Sequence, residues 1–87
     1  MSIVNQKNKK LILIAEDDMS IRTVLSSDLE QKFNLKLTDS ASQLWEWVSN
    51  GVGDLIILDV VMPDANGIEL IPKIKEIRPE IKIIVIS

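Results

Sequence analysis

Three acidic residues follow two segments of this sequence that have the pattern of buried strands. Residues 11–15 and 55–58 are unbroken apolar runs, typical of strands that are covered on both faces of a sheet. The first run leads into Asp17 and Asp18, and the second belongs to a strand, residues 55–59, that ends in Asp59. Open parallel sheets place their ligands just outside the carboxyl ends of the strands. If the two strands are neighbours, the three carboxylates therefore meet at one edge of the sheet.

Carboxylates this close repel one another, so one of them would stay protonated unless a cation is present. The chain contains no His and no Cys, which leaves a hard ion held by oxygen atoms. We predict Mg²⁺, which is commonly held by one or two carboxylates plus waters and phosphate oxygens. Taken singly, Asp17-Asp18 suits a turn and helix cap and Asp59 a strand terminator. Their joint appearance at two strand ends favours a cation site.

The composition limits the classes of function. Eighty-seven residues make at most one small domain, and a net charge of −3 argues against a nucleic-acid-binding surface. The lack of His and Cys excludes His-based catalysis and a disulfide scaffold. No apolar run approaches the ~20 residues of a membrane helix, and the polar N-terminus lacks a signal-peptide core. We expect a soluble, cytoplasmic protein without membrane contact.

Helical patterns lie between the strands. Ser20 is a candidate cap for a first helix, and Ser40 with Gln43 matches a capping box before a second. A third helix is expected from about residue 68 to residue 77. Pro72 lies beyond its first turn, so we expect either a kink or a late start of this helix.

Two further strands complete the pattern. Residues 35–38 alternate, which suits a short edge strand, and the Ile-rich residues 81–86 are expected to form the last strand. The order βαβαβαβ predicts an α/β fold with a parallel sheet and right-handed crossovers. We divide the chain into a polar tail, residues 1–10, and one domain, residues 11–87.

Three segments resemble the receiver domain of bacterial two-component response regulators, most closely receivers of the nitrogen-regulation type. They are Ile-Ala-Glu-Asp-Asp-Met-Ser-Ile-Arg (14–22), Leu-Asp-Val-Val-Met-Pro-Asp-Ala-Asn-Gly (58–67) and Ile-Ile-Val-Ile-Ser (83–87). They occur in the family's order and spacing, and the resemblance runs from Leu11 to the last residue. It implies a flavodoxin-like parallel sheet with strand order 2-1-3-4.

The resemblance also implies roles for individual residues. Asp59 matches the aspartate that accepts a phosphoryl group from a sensor histidine kinase, so the domain would be a phosphoacceptor rather than an enzyme. Asp17 and Asp18 match the acidic pair that holds Mg²⁺, and the backbone carbonyl of Val61 matches the group that completes the metal shell. Ser87 matches the hydroxyl that bonds the phosphoryl oxygens and acts as the switch.

Receivers of this family have a fifth strand, flanked by helices and followed by a lysine that pairs with the phosphoryl group. No residue here matches that helix-strand-helix unit or its lysine, so we expect a truncated receiver with impaired phosphoryl transfer. The strand at residues 82–87 would then be an exposed edge, which predicts a homodimer or larger assembly. With no effector domain, no direct contact with nucleic acid is expected.

Three alternatives stay open at this stage. The chain could be a receiver-like interaction module that binds a kinase without accepting a phosphoryl group. It could be an aspartate-nucleophile phosphatase of the haloacid dehalogenase kind, although Val61 stands where those enzymes have a second Asp. A nucleotide-binding domain is disfavoured, because the first strand leads into Glu-Asp-Asp instead of a glycine-rich turn.

Overall fold

The computed structural model describes residues 9–86, which form a parallel sheet with helices on both faces. The strands are β1 (Leu11–Ala15), β2 (Asn34–Thr38), β3 (Leu55–Asp59), β4 (Val61–Met62), β5 (Ala65–Asn66) and β6 (Lys82–Ile86), and the helices are α1 (Met19–Leu29), α2 (Ala41–Ser49) and α3 (Gly67–Ile77). Residues 1–8 of the predicted tail, and Ser87, lie outside the described residues. Within residues 9–86, no helix is long and apolar enough to cross a membrane.

The main sheet has four parallel strands in the order β2-β1-β3-β6. The two apolar runs are neighbours, with Ala15 of β1 in register with Leu58 of β3. On the far side of β3, Asp59 is in register with Ile86 of β6. This order confirms the predicted flavodoxin-like arrangement, because β6 is the fourth strand of the main sheet. The register also brings the carboxyl ends of β1 and β3 side by side.

The alternation of side chains along β1 and β3 divides the core between the two faces of the sheet. Leu13 and Leu58 point to the face covered by α2 and α3, where Leu44 and Ile74 are fully buried. The opposite face, covered by α1, holds a smaller cluster that includes Ile14. None of the described residues of α1 is buried. The larger cluster therefore provides most of the hydrophobic stabilisation of the sheet.

The start of α1 differs from the prediction. Its N-cap is Asp18, whose Oδ1 accepts the N–H groups of Ser20 at 2.8 Å and Ile21 at 3.2 Å. The prediction that Ser20 caps this helix is wrong, because Ser20 already lies within the first turn. In α2 the predicted cap Ser40 is confirmed, with its Oγ accepting the N–H of Gln43 at 3.2 Å.

Two hydrogen bonds made by Asn66 and Gly67 determine where α3 starts. The side chain of Asn66 accepts the N–H of Ile68 at 2.9 Å, and the N–H of Gly67 donates to the carbonyl of Val60 at 2.8 Å. The helix begins at Gly67 and contains Pro72 in its interior, so it does not start late, and the kink that was the other expectation stays a prediction. The two-residue strands β4 and β5, which pair in antiparallel fashion ahead of α3, were not predicted from the sequence.

Candidate functional site

Three carboxylates meet at the carboxyl end of the sheet. One oxygen each of Glu16, Asp17 and Asp59 lies within 4.8 Å of the other two. Glu16 follows the last residue of β1 and Asp59 ends β3, so the parallel pairing of these strands creates the cluster. Glu16 and Asp59 are buried, whereas Asp17 is exposed. The structure thus brings together the predicted residues Asp17 and Asp59.

Glu16 is the member of the cluster that the sequence analysis missed. Its N–H donates to the carbonyl of Thr38 at 3.0 Å, so the hydrogen bonding of β1 with β2 continues one residue beyond the strand. Its carboxylate accepts the N–H of Asp18 at 3.1 Å, and its carbonyl accepts the guanidinium of Arg22 at 2.6 Å. The sequence could have indicated Glu16 by its position directly after the apolar run, where a polar residue can still be hydrogen-bonded to the neighbouring strand.

Asp18 lies outside the cluster. Its carboxylate caps α1 and is exposed, as described above. The residue pair that faces Asp59 is therefore Glu16 and Asp17, one position earlier than the predicted pair Asp17 and Asp18. The physical reason is that the first turn of α1 needs an acceptor for its unpaired N–H groups, and Asp18 is the residue that begins that turn.

Asp59 is held in place through the backbone of Val61. The N–H of Val61 donates to Oδ1 of Asp59 at 3.0 Å, while the Val61 side chain is exposed. This bond orients the Asp59 carboxylate through the backbone of Val61, without a contribution from the Val61 side chain. The proposed role of its carbonyl in metal binding stays a prediction, and the predicted role of Ser87 concerns a residue outside the described part of the chain.

Gly67 packs directly against the backbone that carries Asp59. A Cβ atom at this position would lie 2.8 Å from the Cα of Val60 and 2.9 Å from the carbonyl oxygen of Asp59. Any larger residue would have to displace that backbone. Glycine is required here by close approach, so α3 begins against the residue that follows Asp59.

The cluster changes the protonation of one of its members. Burial raises the pKa of Glu16 from 4.5 to about 7, and a hydrogen bond with Asp59 and repulsion from its charge act in the same direction. The N–H of Asp18 opposes the shift by stabilising the charged form. Near neutral pH the metal-free cluster therefore retains a proton for part of the time, as is expected when carboxylates lie close together.

The donor set fits Mg²⁺. All three side chains offer carboxylate oxygens, the ligands that this ion prefers. A bound cation would replace the proton on Glu16 and relieve the repulsion among the three groups. The exposure of Asp17 leaves the solvent side accessible, as suits an ion that keeps several waters. Glu16, Asp17 and Asp59 are the residues that would hold it.

Comparison with known proteins gives a consistent result. The family model described as the response regulator receiver domain matches residues 12–87. The DNA-binding transcriptional regulator NtrC of Azospirillum brasilense is 57% identical over 77 residues. This alignment covers 87% of the present chain and 16% of the relative, so the chain spans a small part of that protein's length.

Two solved structures have the same architecture. The response regulator TrrA of Thermotoga maritima, in complex with Mg(2+)-BeF, is 30% identical with a TM-score of 0.80, over 87% of this chain and 67% of the other. A CheY-like receiver domain protein from Methanospirillum hungatei JF-1 is 29% identical with a TM-score of 0.83, over 90% of this chain and 63% of the other. The magnesium named for TrrA belongs to that protein's complex.

Substitution of the two adjacent aspartates separates metal binding from helix capping. Asp17→Asn is expected to weaken Mg²⁺ binding by more than about tenfold, since even the loss of a group that supports a metal ligand costs that much. Asp18→Asn keeps the cap, because Asn caps helices as well as Asp, and the lost charge should change the affinity by only about threefold in salt. Isothermal titration with Mg²⁺ measures both. Equal losses in the two variants would place Asp18 in the metal shell.

The raised pKa of Glu16 predicts how stability depends on pH without a metal. Because the folded-state pKa of about 7 exceeds the ordinary value of 4.5, the folded protein binds more protons between these values. The contribution of Glu16 to stability is fully present below the lower value and is lost as the pH rises through the upper one. We expect the free energy of unfolding to fall by about 2 kcal/mol from pH 5 to pH 8.

Urea denaturation in EDTA at a series of pH values measures this decline. The Glu16→Gln variant should show a much flatter dependence, because the group that titrates is gone. A variant with the same decline as the wild type would assign the effect to another residue.

Proposed function

The chain belongs to the response regulator receiver domain family, and from this premise we propose that it accepts a phosphoryl group on Asp59 in two-component signalling. The main support for the proposal is the position of the Asp59 carboxylate. It is buried at the end of a central strand, oriented by the N–H of Val61, and grouped with Glu16 and Asp17. A cation site beside an oriented carboxylate is what transfer of a phosphoryl group to that carboxylate requires.

The proposed donor is the phosphohistidine of a sensor histidine kinase. A carboxylate oxygen of Asp59 attacks the phosphorus atom, the P–N bond breaks, and an acyl phosphate forms. The electron pair of the broken bond returns to the imidazole nitrogen of the kinase. The product is a modified protein and not a released compound, so we propose a phosphoacceptor and not a turnover enzyme.

The residues of the chain contribute mainly by positioning. The N–H of Val61 holds Oδ1 of Asp59, whose side chain is buried at the end of β3. Glu16 and Asp17 supply the remaining oxygens for the cation. Mg²⁺, when bound, neutralises charge on the transferring phosphoryl group. The proposal also includes two roles that the family resemblance implies. The Ser87 hydroxyl would bond the phosphoryl oxygens as the switch, and the Val61 carbonyl would complete the metal shell.

The proposed partner is a kinase and not nucleic acid. DNA binding is part of the name of the NtrC relative, but the aligned region is 16% of that protein. The net charge of −3 of the present chain gives no electrostatic attraction to phosphate backbones. We therefore assign the chain to signal input.

Self-association through residues 82–87 also remains part of the proposal. Among the described strands of the main sheet, β6 pairs on one side only, with β3. Its side chains Ile84 and Val85 are 49% and 47% exposed. An apolar strand with an open edge favours pairing with a second chain, so these observations support the prediction.

Phosphorylation of the isolated chain tests the function. Acetyl phosphate with Mg²⁺ should add one phosphoryl group to the wild type, as seen by intact mass spectrometry. Asp59→Asn should abolish the adduct, because the nucleophilic carboxylate is lost, and EDTA should prevent its formation. Asp28→Asn, an exposed acid on α1, serves as the matched control and should leave the yield unchanged.

Two outcomes would contradict the proposal. An adduct that persists in Asp59→Asn would mean that another residue is the acceptor. If neither acetyl phosphate nor a phosphorylated histidine kinase modifies the wild type although the kinase binds it, the interaction-module alternative is correct.

A further inference from the structure

Asp64, in the turn between β4 and β5, contacts the N-terminus of α2. Its Oδ1 accepts the N–H of Ala41 at 2.9 Å. Its Oδ2 accepts the N–H of Ser42 at 3.0 Å and the hydroxyl of Ser40 at 3.0 Å. The two backbone bonds are the main reason that the pKa of Asp64 is lowered to about 2, so the group is charged at neutral pH. A carboxylate distant in sequence thus satisfies N–H groups that a helix leaves unpaired.

The same short hairpin is anchored to the acidic cluster at its other end. The N–H of Val61, the first residue of β4, donates to Oδ1 of Asp59 at 3.0 Å. At the exit from β5, the N–H of Gly67 donates to the carbonyl of Val60 at 2.8 Å. The hairpin therefore links the phosphoacceptor carboxylate to α2, with Asp64 as the contact on the helix side.

The hairpin has little else to hold it. Its two strands share only two residue pairs, and among its residues the side chain of Met62 alone is buried. An isolated pair of strands is at best marginally stable in water. Hydrogen bonds to a charged acceptor are stronger than those between neutral groups, so the Asp64 contacts are well suited to fix the hairpin.

We propose that Asp64 is a positioning residue for Asp59: by tying the β4–β5 hairpin to α2, it keeps the N–H of Val61 against the Asp59 carboxylate. The geometric part of this proposal concerns the chain alone. Its consequence for phosphoryl transfer rests on the function proposed above for Asp59. Loss of the tie would leave the Asp59 carboxylate less well oriented, and with it one of the oxygens that would hold the cation.

The competing explanation is that Asp64 only stabilises α2. The chain contains a matched control for this, because Ser40 is the helix's own cap. Ser40→Ala removes that cap and the hydroxyl bond to Oδ2 of Asp64, but leaves both backbone bonds of Asp64. Asp64→Ala removes the tie but leaves the bond from the N–H of Gln43 to Ser40. Both variants should lower the midpoint of thermal unfolding, so stability alone does not distinguish the two explanations.

Amide hydrogen exchange at Val61 distinguishes them. In metal-free protein followed by NMR, we expect Asp64→Ala to speed exchange of this amide about tenfold, which corresponds to losing most of the contribution of one hydrogen bond. Ser40→Ala should leave it within about twofold of the wild type, because the hairpin stays tied. The affinity for Mg²⁺ should fall about tenfold in Asp64→Ala and stay unchanged in Ser40→Ala, as for a group that orients a metal ligand.

The outcomes separate this proposal from the proposed function. Unchanged Val61 exchange in Asp64→Ala would overturn the positioning role, and so would an equal change in Ser40→Ala. If the wild type binds no Mg²⁺, the proposed metal site fails, while the exchange rates still decide the role of Asp64. Asp64→Asn, which keeps one acceptor oxygen, should show an intermediate exchange rate and replaces Asp64→Ala if that variant does not fold.

Discussion

The parallel pairing of β1 with β3 is the constraint on which the rest of this structure depends. Both strands are largely buried, and their parallel pairing sets Ala15 in register with Leu58. The fixed register places Glu16 beside Asp59, where two acids repel each other in a partly dehydrated site. Burial is the main cause of the raised pKa of Glu16, and the neighbouring Asp59 raises it further. The core thus stabilises an electrostatically unfavourable arrangement that a cation can relieve.

The segments around this cluster make contacts that hold its residues in place. Asp18 caps α1 and donates its N–H to Glu16, so the helix start and the acidic site share a residue. Arg22 binds the carbonyl of Glu16 from the next turn of α1. On the β3 side, the hairpin and Gly67 fix the backbone that follows Asp59. The carboxylates are therefore held by backbone geometry, which is the kind of preorganisation that a binding site requires.

The sequence carried enough information for the sheet and for part of the site. Strands buried on both faces need continuous apolar runs, so residues 11–15 and 55–59 were predicted with the bounds that the structure has. Their shared edge followed from the parallel topology, which predicted the meeting of Asp17 with Asp59. The sequence could not show which two of Glu16, Asp17 and Asp18 face Asp59, because all three are acids. Only the course of the backbone decides which of them lie in the cluster and which one caps α1.

Other features depended on contacts that local pattern does not encode. Strands of two residues, such as β4 and β5, are too short to show alternation. The bonds from Asp64 to Ala41 and Ser42 join segments more than 20 residues apart, and Asp64 alone suggests only a turn. Pro72 was expected either to kink α3 or to delay its start, but the Asn66 cap and the close packing of Gly67 place the start at Gly67.

The most direct test of cation binding at the acidic cluster is to locate the bound ion with a paramagnetic substitute. Mn²⁺ accepts the same oxygen ligands as Mg²⁺ and broadens the NMR signals of nearby amides. If the cluster binds the ion, substoichiometric Mn²⁺ will selectively broaden the amides of Glu16, Asp17 and Asp59, and excess Mg²⁺ will reverse the broadening. Broadening that instead centres on exposed acids elsewhere, such as Asp28 or Glu80, would contradict a cation site at the end of β1 and β3.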